Sequence, residues 1–129
     1  MNREQMFLLL GGIGAFLSVA LGAFGAHTFK SMLGPELLST FETAVRYQMY
    51  HSLALIALGV VLTHVNHRNL IVSGWLFVWG IVLFSGSLYV LALTSARWLG
   101  IITPMGGTLF LAGWVFFVVG IVKGSQSRP

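Results

Sequence analysis

Apolar residues along the chain fall into long runs separated by short polar breaks, and four runs stand out: Met6 to Ala26, Met49 to Thr63, Leu70 to Thr94 and Ile101 to Val122. A bilayer core of about 30 Å needs roughly 20 helical residues, and the first, third and fourth runs meet that length. The second is too short unless its helix begins upstream, so a spanning helix over about 44–63 takes in Arg46 and His51. Gly34-Pro35 supplies a start signal, with Pro35 suited to the first turn and Glu36 to the positive end of the helix dipole. A helix from Pro35 to His64 has about 30 residues and a length of roughly 45 Å, so its first turns stand in or beyond the interface. The pattern predicts an all-α fold: a four-helix transmembrane bundle of up-down topology, with spans at about 6–26, 44–63, 70–94 and 101–122 in one integral membrane domain over 1–129. The connections are His27 to Gly34, His64 to Asn69 and Ser95 to Gly100. The small residues at Ala23 to Ala26 also suit signal-peptide cleavage, but the preceding apolar run is longer than the 7 to 15 residues of a usual signal core, which favours a retained span.

Composition agrees with a lipid solvent, since 57% of the 129 residues are hydrophobic and 8% charged, against about 25% charged in soluble domains. The net charge of +4 comes from basic residues scattered singly, which excludes the clustered basic face of a nucleic-acid binder. The absence of cysteine removes disulfides, thiolate catalysis and thiolate-bound metals. Arg3, Arg68, Lys123 and Arg128 fall on one side of the membrane; Lys30 and Arg97 fall on the other, with Arg46 near it. By the positive-inside bias both termini are expected in the cytoplasm, the protein lying in the cell (inner or plasma) membrane.

Helix packing in lipid needs close backbone approach. Gly14, Ser18, Gly22 and Ala26 recur every four residues down the first helix, and Gly106, Gly113 and Gly120 every seven down the fourth. Both stripes are expected to pack within the chain; the alternative is a homo-oligomer through either face. Trp75 and Trp98 suit the membrane interface, and Trp79 and Trp114 suit gaps in the core.

The candidate chemistry lies in FETAVRYQMYHSLAL, Phe41 to Leu55. At about 100° per residue, Glu42, Thr43, Arg46, Tyr47, Tyr50 and His51 share one half of the helix, and Leu37, Leu38, Phe41, Val45, Met49 and Ser52 the other. An uncompensated charge facing acyl chains is costly, so the polar half is expected to point inward. Glu42 precedes Arg46 by four residues, the favourable order for an ion pair, and Tyr47 precedes His51 likewise. His27 at the end of the first helix, with Ser85 and Tyr89 on one face of the third, is expected to complete a polar network of His27, Glu42, Arg46, Tyr47, His51, Ser85 and Tyr89 toward one leaflet.

Three readings compete for this network: helix closure, a ligand or ion site, and catalysis. No nucleophile motif such as G-x-S-x-G and no H-E-x-x-H appears, and His64 with His67 makes a weak metal pair in a loop. No enzyme activity, cofactor or metal is expected. The ionisable groups gather toward one side while Phe7 to Phe16 and Leu53 to Leu62 are apolar, which favours a structural, accessory or interaction protein. The alternatives are a small-solute or ion channel or transporter, and a membrane protein that binds a small ligand or lipid.

At GAFGAHTFK, FETAVRYQMYH, VLFSGSLYVLAL and ITPMGGTLFLAGW the chain resembles the YgdD/YwdK family of small bacterial membrane proteins. The resemblance covers essentially the whole chain, with Gly22 to His27 and Tyr47-Gln48 to His51 its most specific parts. It implies a multi-pass protein with four helices and no established chemistry, and it transfers no catalytic residue.

Overall fold

The structure, a computed structural model, describes residues 1–126. Arg128, used above to assign the cytoplasmic side, lies outside the described residues. Four spans long and apolar enough to cross a membrane run Arg3–Met32, Pro35–Leu62, Arg68–Thr94 and Arg97–Gln126. The protein is a multi-pass, all-helical membrane protein.

Local sequence explains where each span starts. Asn2 accepts from the Gln5 backbone N–H at 2.8 Å, and the Gln5 side chain accepts in return from Asn2 N–H at 3.3 Å, which forms a capping box. Pro35 opens the second span after an extended Gly34. His67 Nδ1 caps the third by accepting from Asn69 N–H at 3.1 Å. The third span ends where Ser95 adopts a left-handed φ of 58° and returns its N–H to the Leu91 carbonyl. The second span is unbroken from Pro35, as its short apolar run requires.

The expected loop from His27 to Gly34 is corrected: helix continues to Met32, leaving only Leu33 and Gly34 as the connection. It continues through a π turn at Gly25–Phe29, and a second π turn occupies Ile81–Ser85 in the third span. Each π turn takes up an extra residue and shifts the faces that follow. In the first span Gly25, and not Ala26, is therefore buried against Phe41, while Ala26 is exposed.

The main contacts pair the first span with the second, the third with the fourth, and the second with the third. The first pair approaches through Gly11, Gly14, Ser18 and Gly59: a Cβ on Gly11 would come within 2.7 Å of the Ser52 carbonyl, and one on Gly59 within 3.0 Å of the Glu4 carbonyl. In the other pair Gly106, Gly113 and Gly120 are buried, and a Cβ on Gly106 would lie 2.7 Å from Phe84 Cα. Gly14 and Ser18 of the first stripe and Gly106, Gly113 and Gly120 of the second pack within the chain, while Ala26 at the end of the first is exposed. Between the two pairs lies the apolar core, built on Phe7, Leu55, Leu58, Leu62, Leu70, Phe77 and Phe110. Trp75 and Trp98 are exposed, as interfacial residues would be. Trp79 and Trp114 are corrections: Trp79 is 56% exposed, because its helix turns Phe77 and Gly80 inward instead, and Trp114 is 41% exposed with only its indole N–H edge turned in toward His51.

Gly106 tests this packing. Gly106→Ala must displace the Phe84 backbone, so its detergent melting temperature should fall, by about 1–3 kcal/mol of stability. Gly12→Ala, where a Cβ meets nothing within 4 Å, should leave the midpoint unchanged or slightly raised.

Candidate functional site

The inward face of the second span carries Phe41, Ala44, Gln48, His51, Ser52, Leu55 and Leu58. That face is shifted from the expected one, because close approach to the first span selects small or uncharged residues, whereas the charged ones reach solvent and headgroups near the helix start. Glu42 and Arg46 are both exposed. Their expected ion pair does not form among the described residues: the Arg46 guanidinium donates through Nη2 to Thr43 Oγ1 at 3.3 Å instead. His27 is exposed beside Ala23, Phe24 and Thr28 and joins no network.

The residues that do meet inside are His51, Ser85 and Tyr89, joined by Gln48 and Trp114. Gln48 donates through Nε2 to the Gly14 carbonyl at 2.9 Å, and its Oε1 accepts from the Tyr89 hydroxyl at 2.6 Å. One amide thus ties the first three spans together. Ser85, aimed by the π turn, donates to the Ala44 carbonyl at 2.8 Å. Between the third and fourth spans Ser73 donates to the Gly113 carbonyl at 2.8 Å, and Ser87 and Thr103 share a hydrogen bond of 2.7 Å.

His51 lies at the centre, 5% exposed. Its ring stacks on Phe110 with centroids 3.5 Å apart and planes within 8°. The Trp114 indole N–H, a donor only, donates to Nε2 at 3.1 Å, so Nδ1 carries the proton and donates to the Tyr47 carbonyl at 2.7 Å. The expected side-chain link from Tyr47 to His51 is therefore a backbone one, and the Tyr47 ring packs on Phe84 with centroids 4.7 Å apart. Two buried hydroxyls between the first and second spans, Ser18 and Ser52, have no hydrogen-bond partner.

Sequence reasoning missed Gln48 as a linker and Trp114 as a donor. Gln48 stands four residues from Ala44 and three from His51, so the inward spacing was there to find; the polar residues around it masked it. Among the described residues no three histidine, cysteine or acidic side chains gather as metal ligands. His64 Nδ1 contacts Thr63 Oγ1 at 2.7 Å while His67 caps the third span, so the loop histidines serve separate partners.

Residues 21–107 match a family described as a protein of unknown function, DUF423. A UPF0382 membrane protein of Staphylococcus saprophyticus is 47% identical over 92% of this chain and 98% of its own length. The UPF0382 membrane protein YwdK of Bacillus subtilis is 42% identical over 92% of this chain and 98% of its own. No solved structure matches the chain.

The network makes a double-substitution test possible. Gln48→Leu strands the Tyr89 hydroxyl and should cost about 1 kcal/mol of stability in detergent. Adding Tyr89→Phe removes the stranded group and should recover part of that loss. Glu42→Gln, at an exposed site without an ion pair, should leave the melting temperature within error of wild type.

Proposed function

Because the chain belongs to the DUF423 family of membrane proteins of unknown function, we propose from its closed interior that it serves as a structural or accessory membrane protein and carries neither solute nor a catalytic centre. The observation that carries this reading is the plug formed by His51, stacked on Phe110 and bonded to Trp114, in the middle of the bundle. Below it Phe7, Leu58, Leu62, Leu70 and Phe77 pack into one apolar cluster, where a water path would need polar lining. Both His51 nitrogens are engaged, which leaves no free base for the buried Ser18 or Ser52 hydroxyls.

We place the protein in the cell membrane with both termini in the cytoplasm. Arg3, Arg68 and Lys123 lie at the end of the bundle that holds the termini, against Lys30 and Arg97 at the far end with Arg46 one level inside it. With Arg128, which follows Lys123 in the sequence, the count is four to three, small but of the required sign.

Reconstituted vesicles should show proton, cation and small-solute flux equal to empty liposomes, and flux above that baseline would reverse the reading. A fluorescent protein fused after Pro129 should be bright and the corresponding alkaline phosphatase fusion inactive. The opposite pair of results would invert the topology.

A further inference from the structure

The exposed stripe of the second span changes chemistry along its length. Val60, Ala57 and Leu53 give way to Tyr50, Arg46 and Glu42 toward the Pro35 end. Counted from Leu62, Arg46 stands about 24 Å up the helix and Glu42 about 30 Å, which puts Glu42 at the rim of a 30 Å hydrocarbon layer and Arg46 one turn inside it. Helical side chains lean toward the N-terminus, which here is outward, and the bond from Arg46 to Thr43 at 3.3 Å follows that direction. That bond engages one of the five guanidinium N–H donors, and the charge has no carboxylate partner among the described residues. A cation so placed demands an anion at the level of the lipid phosphates.

Beside these two charges a groove of about 220 Å³ opens between the first and second spans. It exists because Gly22 and Gly25 have no side chains there, and its walls are Phe41 and Val45 with Glu42 and Arg46 at the mouth. A purely anionic occupant would satisfy Arg46 but meet the Glu42 carboxylate, and free phosphate has the same difficulty. A headgroup with a phosphate and, further out, an N–H-bearing cation meets both, and the offset of one helical turn, about 6 Å, suits their order.

We propose that this groove is a binding site for a zwitterionic phospholipid with a primary ammonium, its phosphate on the Arg46 guanidinium, its ammonium on the Glu42 carboxylate, and the headgroup between them over Gly22 and Gly25, which lie level with Val45 and Phe41. The carboxylate selects a primary ammonium because a quaternary one offers no N–H donor.

Native mass spectrometry of the full chain in detergent tests this with dioleoyl phosphatidylethanolamine, phosphatidylcholine and phosphatidylglycerol added separately. The wild type should retain the ethanolamine lipid roughly fivefold better than either other lipid, the scale of about 1 kcal/mol for one interfacial charge contact. Glu42→Gln should erase the preference for ethanolamine over choline. Arg46→Gln should weaken retention of all three, with Arg46→Lys restoring part of it. The comparison of headgroups on the unaltered protein needs no variant and stands even if one misfolds. Equal retention of the three lipids, or a preference that both variants leave intact, would overturn the site. A preference for phosphatidylglycerol would overturn it too, since the occupant would then be anionic.

Discussion

Lipid tails are as apolar as leucine, so these helices gain no hydrophobic driving force by meeting, and the fold depends on how closely their backbones can approach. Gly11, Gly14, Ser18 and Gly59 close the first pair of spans, and Gly106, Gly113 and Gly120 close the second. Glycine also serves here as a socket. A Cβ on Gly74 would strike the Phe7 ring, and one on Gly80 would come within 2.6 Å of the Phe110 ring. Phe7 in the Gly74 notch thus joins the two tight pairs, Phe110 in the Gly80 notch locks the third span to the fourth, and dispersion between close-packed atoms replaces the hydrophobic effect.

Hydrogen bonds specify which arrangement of those pairs forms. Each is worth about 0.6 kcal/mol in a bilayer, too little to hold the bundle but enough to set register. The second span bonds to all three others: through Gln48 to the Gly14 carbonyl, through Gln48 and the Ala44 carbonyl to Tyr89 and Ser85, and through His51 to Trp114. Backbone carbonyls serve repeatedly as acceptors because they retain a lone pair inside a helix. The buried polar groups of the second span, Gln48, His51 and Ser52, are uncharged, and the charged groups of the same helix face outward near its end. This sorting connects the closed interior to the proposed function, since one helix fills the bundle centre with one face and presents charge to the headgroups with another.

Much of this protein was legible from residues alone. Run lengths determined four spans, the short apolar run after Met49 with the Gly34-Pro35 signal determined a long second helix, and the sevenfold glycine spacing of the fourth span marked a true seam. These features depend on local chemistry: hydropathy over about 20 residues, a fixed proline φ, a missing Cβ. Which half of the second helix faces inward was decided only by the tertiary structure. Polarity argued for Glu42 and Arg46 inside, yet the neighbouring spans left room for Ala44, Gln48, His51 and Ser52, because backbone approach selects by volume before charge. The π turns likewise escaped the sequence, and with them the aim of Ser85 and the exchange of Ala26 for Gly25. A helical pattern assigns residues to faces relative to one another; only the partner helices decide which face is buried, since the free energy of burial belongs to the contact and not to the segment.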